Sequence, residues 1–378
     1  MKKLMVIPLV AAGMAAMVGC SKTPVKEAAK NDAINLANLD TAVAPGTDFY
    51  QYACGGWMKN NPLKPEYARF GTFDQLRDNN QEQIRTLIEG LSETPGQEGS
   101  VGQKIGMLFA MGMDSVKLNE DGYAPIKDQL AEINKLGTKD ELTKMVATLH
   151  KEGMAPFFAL YVGADEKNSS MNIVQLYQAG LGMGDRDYYL LEDESSQKMR
   201  EAYKNYITRL FTLIGSSPEQ ADAAVNAIMK IERGIAEVSF SREDLRDSQK
   251  NYNKMSIEDF KAKNDLLNWD VYFESMGMMD IKYLDAKQLS FYEGLSALMK
   301  NTTLKYYLTF NLLSSAAPYL SDPFVAADFD FYGKTMSGRQ EQQPRWKRAL
   351  STVNGALSEA VGQMYVAKYF PASSKEKM

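Results

Sequence analysis

The chain has 378 residues, 44% of them hydrophobic and 24% charged, which is enough to form a large globular core and usually more than one lobe. Its formal net charge is −5, and the sequence shows no clustered basic stripe, so it is not expected to bind nucleic acid. It contains two cysteines, Cys20 and Cys54, and a single histidine, His150.

The first twenty residues have the layout of an export signal. Two lysines precede an uncharged apolar run from Leu4 to Val18, which is short for a transmembrane helix. The tetrapeptide ending at Cys20, MVGC, resembles a bacterial lipobox, in which the signal is cut before a cysteine that is then acylated. We therefore expect residues 1–19 to be a signal peptide, Cys20 to be lipidated and residues 20–40 to form a polar tether. An ordinary cleaved signal is the alternative.

These features predict a location as well. The protein is expected to be exported and held to a bacterial membrane through its lipid anchor, on an outer membrane facing the periplasm or the cell surface. If Cys20 carries lipid, Cys54 is the only thiol left, and no disulfide can form within this chain.

Most of the body has helical periodicity. Apolar residues recur at steps of three and four from Gln197 to Ile214, which indicates an amphipathic helix with one buried face. Ser217, followed by proline and then a capping-box glutamine, marks the start of another helix. Thr138 with Glu141, and Ser256 with Asp259, mark two more by the same logic.

One region departs from this pattern. The segments Pro156–Val162 and Met171–Tyr177 are rich in aromatic and β-branched residues and flank a polar turn, which predicts a β-hairpin lying against the helices. The glycines of the following segment, Gly180–Tyr189, have the wrong spacing for a dinucleotide fingerprint, so we expect a tight loop.

Catalytic constellations are scarce. His150 is expected near the end of the helix opened by Thr138, as a surface or C-terminal residue favourable to the helix dipole and not as a metal ligand. The acidic pairs Asp185/Asp187 and Asp328/Asp330 could act on glycosides or bind calcium, but solvated surface carboxylates are the simpler interpretation. From these residues alone the chain is a lipid-anchored, helical, non-enzymatic module.

A family resemblance changes this interpretation. The stretch Asp48–Asp78, DFYQYACGGWMKNNPLKPEYARFGTFDQLRD, closely resembles the opening of the neprilysin family of zinc metallopeptidases. Further blocks follow in the family's order and cover nearly all of the chain after the tether: Gly182–Leu190, Ile231–Ser256, Asn268–Phe273, Thr303–Leu320 and Phe331–Pro371.

The resemblance implies a two-lobed, mainly helical endopeptidase that is secreted or membrane-anchored and cleaves short peptides. Its zinc would belong to a second lobe with an H-E-x-x-H helix, a motif that this sequence does not contain. The expected fold is therefore a mainly α, multi-helix lobe with a small β-hairpin, the N-terminal part of a neprilysin-like fold. Residues 41–80 would form a wrap that contacts the catalytic lobe, and residues 81–378 the helical domain. With the catalytic lobe absent, this chain is expected to bind no zinc and to be inactive alone.

The resemblance also implies site residues. Arg69 falls on the position of an arginine that helps the family hold the carboxyl end of its substrate, and Asp74 and Arg77 fall on positions that shape the pocket. Periodicity alone favours surface charges beside a helix for all three. Cys54 falls where many relatives form a disulfide to the second lobe, so it is either half of an inter-lobe disulfide or a free thiol.

Other residues are expected to be architectural. Arg242, Arg246 and Asp247 would form a charged network at a helix junction, and Trp57, Trp269 and Trp346 would be core or inter-lobe anchors. The apolar stripe of the last helix, about residues 346–369, needs a partner, which would be the wrap or the missing lobe.

Two functions follow. The first is the substrate-enclosing region of a membrane-anchored zinc metalloendopeptidase. The second is a standalone, non-catalytic lipoprotein that binds peptides or a protein partner. The nucleotide sequence after Met378 distinguishes them, because an open frame reaching H-E-x-x-H supports the first and an immediate stop the second.

Overall fold

A computed structural model describes residues 35–94, 96–298 and 304–377. The predicted signal peptide and Cys20 lie outside the described residues. The described residues divide into two compact units, a smaller one up to Pro62 and a larger one from Leu63 onward. None of the helices among the described residues is both long and apolar enough to cross a bilayer.

Helices make up most of the chain. Sixteen α-helices are formed by the described residues. They are α1 (Phe49–Asn60), α2 (Thr72–Glu93), α3 (Val101–Met113), α4 (Ser115–Asp121), α5 (Lys127–Lys135), α6 (Lys139–Lys151), α7 (Asp187–Leu190), α8 (Glu194–Leu213), α9 (Pro218–Val238), α10 (Ile257–Lys263), α11 (Trp269–Ser275), α12 (Leu289–Leu298), α13 (Leu304–Ala316), α14 (Asp322–Asp328), α15 (Arg345–Tyr369) and α16 (Ala372–Lys377). Short 3₁₀ helices span Leu36–Asn38, Ala124–Ile126, Asp244–Arg246 and Ala317–Tyr319, and Phe329–Met336 is a π-helix.

The smaller unit is organised around α1. The Asp48 carboxylate caps this helix by accepting from the Gln51 N–H at 2.9 Å. The preceding segment folds back on the helix, because the Asp40 N–H donates to the Tyr52 carbonyl at 2.8 Å and the Asp40 carboxylate accepts from the Gln51 amide at 3.1 Å. Cys54 lies on α1, half-buried, with a free thiol.

The predicted helix starts are confirmed in the larger unit. Ser217 caps α9 and forms a capping box with Gln220, and Thr138 does the same for α6 with Glu141. Ser256 caps α10. Each cap satisfies backbone N–H groups that the first helical turn leaves without a partner.

The predicted hairpin is confirmed and belongs to a larger sheet. β1 (Phe158–Asp165) and β2 (Asn168–Gln178) pair antiparallel. Two strands that the sequence did not indicate complete a four-stranded sheet in the order β1-β2-β4-β3: β3 (Lys254–Ser256) and β4 (Tyr283–Ala286), with β4 parallel to β2. These strands have three and four residues, too few for an alternating pattern to be recognised.

The larger unit contains two hydrophobic clusters. The main one packs helices from α5 to α14 around the sheet and includes Trp269, which confirms the prediction of a core role for that residue. The second cluster joins α2, α3 and α15 through Ile88, Phe109, Leu350 and Val353, among others. The last helix therefore finds its partner in α2 and α3, within the same unit.

Candidate functional site

Arg69 lies in the segment of residues 63–71 that leads into α2. Its side chain is exposed, and it makes no hydrogen bond or ion pair with another described residue. At the start of α2, the Gly71 N–H donates to Asp74 Oδ2 at 2.9 Å, and the other oxygen of that carboxylate accepts from the Arg77 guanidinium. Arg77 is thus already paired with the Asp74 carboxylate, whereas the Arg69 guanidinium is available to a ligand.

A buried ammonium group holds this segment in place. Lys347, on α15, is 6% exposed, and its Nζ lies 2.8 Å from both the Tyr67 hydroxyl and Asp78 Oδ1. The Tyr67 hydroxyl donates to the same carboxylate. We call Lys347, Tyr67 and Asp78 the anchoring triad. It fixes the chain two residues before Arg69 to both α2 and α15.

The charges of the anchoring triad are matched. Burial alone would raise the pKa of Asp78, but the hydrogen bonds from Lys347 and Tyr67 outweigh it and lower that pKa below its usual value. Burial alone would lower the pKa of Lys347, and the hydrogen bond to Asp78 instead raises it. Both groups are therefore charged at neutral pH, as a buried ion pair requires.

Backbone hydrogen bonds reinforce the same segment. The Pro65 carbonyl accepts from the N–H groups of Gln340 and Glu341 at 2.9 and 3.0 Å. Next to the segment, α2 exposes two large apolar side chains three residues apart, Phe73 at 88% and Leu76 at 57%. A free guanidinium beside exposed apolar side chains matches a peptide that ends in a carboxylate.

A cleft of about 640 Å³ lies elsewhere in the larger unit. The loop of residues 178–184 forms one wall, and the second half of α13 with residues 318–319 forms another. Glu232 of α9 also lines the cleft, although it is only 1% exposed. Its carboxylate accepts from the hydroxyls of Tyr189 and Tyr203 at 2.7 and 3.0 Å. We call this the Glu232 cleft.

The environment of Glu232 is apolar apart from these hydroxyls. Burial is the main influence and raises the pKa of this carboxyl to about 7, against the lowering effect of hydrogen bonds from Tyr189, Tyr203 and the Gly182 backbone. No lysine or arginine pairs with it within the described part of the chain. Glu232 is not among the site residues predicted from the sequence, although a glutamate four positions after Ile228 on the apolar stripe of α9 was a usable signal.

Tyrosine hydroxyls also hold the loop that lines the cleft. Tyr307 donates to the Gly180 carbonyl at 2.7 Å, and Tyr332 donates to the Gly182 carbonyl at 3.0 Å. Gly182 leaves no space for a side chain, because a Cβ there would lie 1.8 Å from the Tyr203 hydroxyl oxygen. The predicted tight loop is confirmed as far as Arg186, after which α7 begins. Close packing on tyrosines explains Gly180 and Gly182, and a φ of +76° explains Gly184.

His150 differs from its prediction. It lies near the end of α6 as expected, but it is only partly exposed, and its ring packs edge-on against both Phe158 and Tyr272. Burial lowers its pKa to about 4, so the ring is neutral at pH 7 and carries no charge to interact with the helix dipole. Nε2 donates to the Pro156 carbonyl at 3.1 Å, which leaves Nδ1 to accept from the Tyr272 hydroxyl at 2.6 Å.

One member of each acidic pair is less exposed than predicted, whereas Asp187 and Asp330 are exposed as expected. The side chain of Asp185 is 11% exposed and pairs with Arg242. Arg242 was predicted to form a charged network with Arg246 and Asp247, but its ion pair is with Asp185, 57 residues earlier. Asp328 is half-buried, and burial raises its pKa to about 6. The interpretation as solvated surface carboxylates was wrong for these two residues.

The described residues do not form a zinc site. Among the described ranges, no group of three or more histidine, cysteine, aspartate or glutamate side chains could hold a metal ion. Both nitrogens of His150 are already engaged, as given above. A zinc site needs three protein ligands and an open position, so no catalytic step is assigned to a metal on these residues.

The family comparison agrees with the sequence blocks. The family model for Peptidase family M13 matches residues 45–378. Endothelin-converting enzyme 1 of Mus musculus is 30% identical over an alignment of 403 residues that covers 99% of this chain and 51% of that protein. The Homo sapiens enzyme of the same name is 30% identical, with 90% of this chain and 46% of its own length covered. This chain spans about half the length of the curated relatives it matches.

Solved structures show the same fold. The zinc metalloprotease ZMP1 of Mycobacterium tuberculosis, in complex with an inhibitor, matches with a TM-score of 0.85 and 28% identity, covering 91% of this chain and 53% of that chain. PEPO from Lactobacillus rhamnosis HN001 matches with a TM-score of 0.75 and 20% identity, covering 89% and 53%, and supports the fold alone. The chain therefore belongs to peptidase family M13, as the N-terminal region of a neprilysin-family metallopeptidase.

Proposed function

We propose that this chain is the substrate-enclosing region of a zinc metalloendopeptidase that acts on short peptides. The observation that carries the proposal is the match of residues 45–378 to the family, supported by the similarity to a solved zinc metalloprotease over 91% of the chain. In this proposal the zinc and the residues that activate water lie outside the printed sequence. The chain contributes binding and orientation of the peptide, and no catalytic residue.

Arg69 is the proposed contact for the peptide's terminal carboxylate. Its side chain is exposed and makes no hydrogen bond or ion pair with another described residue, and the anchoring triad holds the chain beside it. A planar guanidinium can grip a carboxylate through two parallel hydrogen bonds, and a positioned one loses less conformational entropy on doing so. Asp74 and Arg77, which already pair with each other, remain predicted members of the same site.

Membrane anchoring through Cys20 is a second part of the proposal. It rests on the lipobox-like sequence alone, as does the proposed location at an outer membrane. Replacing Cys20→Ser should move the protein from the membrane fraction to the aqueous fraction of the cells that produce it. An unchanged distribution would refute lipidation as the anchor.

One experiment tests whether this chain binds the peptide without contributing to catalysis. It uses the purified chain and a fluorogenic short peptide. We expect no chelator-sensitive cleavage, since the described residues offer no zinc-ligand set. Robust cleavage that a chelator abolishes and added zinc restores would overturn the proposal. The fate of Cys54, as an inter-lobe disulfide or as a free thiol, can be measured on the same material by thiol labelling with and without a reductant.

A further inference from the structure

The Glu232 cleft contains a buried carboxylate that lacks a cationic partner. Each oxygen of Glu232 accepts one tyrosine hydroxyl, from Tyr189 or Tyr203, and the Gly182 backbone is a further donor, which leaves room because a carboxylate can accept about four hydrogen bonds. Hydroxyl groups are neutral donors and do not balance a charge removed from water. A ligand that brings a positive charge into the cleft would supply what the protein does not.

The other groups lining the cleft agree with a cationic ligand. No lysine, arginine or histidine is among the described residues that line it. Asn311 lines the cleft, and its side-chain nitrogen donates to the Tyr307 carbonyl at 2.8 Å, which leaves its Oδ1 as a hydrogen-bond acceptor. Ser315 and Tyr319, both exposed, border the cleft. The volume of about 640 Å³ is in the range of small-molecule sites, which run from about 300 to 1,000 Å³.

The backbone beneath the cleft is strained. Phe157 has a φ of +69°, which a bulky residue rarely adopts, and it is fully buried. Its N–H donates to the Tyr307 hydroxyl at 3.2 Å. Gly180, with a φ of +94°, packs so closely that a Cβ there would lie 2.8 Å from the Phe157 nitrogen. Such strain persists only where the surroundings enforce it, and it concentrates at functional sites.

From these three observations we propose that the Glu232 cleft binds the primary ammonium group of a small molecule or short peptide. Glu232 receives the ammonium, and Asn311 Oδ1 offers a second acceptor. This site is separate from the carboxylate contact proposed for Arg69. The ammonium site would bind its ligand whether or not the chain takes part in peptide cleavage. Two sources share this chemistry: the free amino end of a peptide and a lysine side chain.

The test measures the binding of four small probes to the purified full chain by ligand-observed NMR. None of the four carries a carboxylate. Nα-acetyl-lysine methylamide carries an ammonium on a side chain, and trialanine amide carries one at its amino end. Their uncharged counterparts are Nα-acetyl-norleucine methylamide and acetylated trialanine amide. We expect at least one ammonium probe to bind saturably at pH 8 and neither uncharged counterpart to do so. The ammonium probe that binds identifies the source.

The pH profile separates a ligand contact from a structural role. The titratable groups that face Glu232 are Tyr189, Tyr203, Tyr307 and Tyr332, and burial raises the pKa of each, so they stay neutral over this range. Binding of whichever ammonium probe binds at pH 8 should weaken by about tenfold for each pH unit below 7, as Glu232 takes up a proton. Asp328, which lies near Tyr332 and has a pKa of about 6, is controlled for with Asp328→Asn.

Two variants complete the test. Glu232→Gln should abolish binding and its pH dependence, while Glu237→Gln, an exposed glutamate on the same helix, should leave both unchanged. If Glu232→Gln does not fold, Ser315→Lys places a positive charge at the exposed border of the cleft and should weaken binding several-fold, whereas Ser351→Lys, also exposed, should not. Four outcomes would each overturn the proposal. Two concern the probes: the uncharged probes bind with equal affinity, or neither ammonium probe binds saturably. Two concern the variants: Glu232→Gln retains binding, or the two lysine variants have equal effects.

Discussion

The anchoring triad supports a prediction that can be worked out in some detail. Lys347→Met keeps the length and apolar stem of the side chain but removes the ammonium that lies 2.8 Å from Tyr67 and from Asp78. Removing one partner of a fully buried ion pair costs about 3–5 kcal/mol, because the other charge is left without compensation. The side chains of Lys347 and Asp78 are 7% and 15% exposed, and Asp78 keeps Lys64 at 3.9 Å, so we expect about 3 kcal/mol.

The assay is urea unfolding followed by tryptophan fluorescence. Trp346, next to Lys347 and stacked under Arg85, reports on the cluster of α2, α3 and α15. A double-mutant cycle with Asp78→Leu isolates the pair, and the double variant should recover much of the loss because no unpaired charge is left. A loss below about 1 kcal/mol for Lys347→Met, or strictly additive losses in the cycle, would refute the reasoning.

Two further predictions concern pH. The pKa of His150 is about 4 in the folded chain and 6.5 ordinarily, so its contribution to the free energy of unfolding is present above pH 6.5 and is lost as the pH falls towards 4. In urea unfolding, wild type should lose roughly 3 kcal/mol more than His150→Gln over that interval. The pKa of Glu232 is about 7 in the folded chain and 4.5 ordinarily, so its contribution to the free energy of unfolding is present below pH 4.5 and is lost as the pH rises to 7. Wild type should therefore lose roughly 3 kcal/mol over that interval, and Glu232→Gln should not. A pH dependence that is the same in wild type and in either variant would contradict the corresponding assignment.

Local signals in the sequence predicted local structure well. Ser217, Thr138 and Ser256 each mark a helix start because a cap and its partner lie within three residues of each other. The hairpin was predicted for a similar reason, since its two strands are joined by a short turn. The stripe on α15 was visible as well, but a stripe does not say what covers it, and its partners α2 and α3 lie more than two hundred residues earlier.

Long-range chemistry was not visible. The hydroxyls of Tyr189 and Tyr203 reach Glu232 from 43 and 29 positions earlier in the chain. Lys347 reaches Tyr67 and Asp78 across 280 and 269 positions. No periodicity or spacing rule encodes such contacts, because they depend on how helices pack and not on the order of residues within one helix. For the same reason, the sequence placed His150 at the end of its helix but did not predict that Phe158 and Tyr272 pack against its ring.

The central claim is that this chain binds the peptide and that Arg69 holds its terminal carboxylate. The most direct measurement compares kcat/KM for a short peptide with a free C-terminus and for its amidated form, in the peptidase that carries this chain and in its Arg69→Ala variant. A charge-assisted hydrogen bond contributes about 1.5–3 kcal/mol, so the variant should lose roughly tenfold or more on the free acid and little on the amide. Arg77→Ala should discriminate less, since Arg77 already pairs with Asp74. Equal losses on the free acid and the amide in Arg69→Ala would contradict the account.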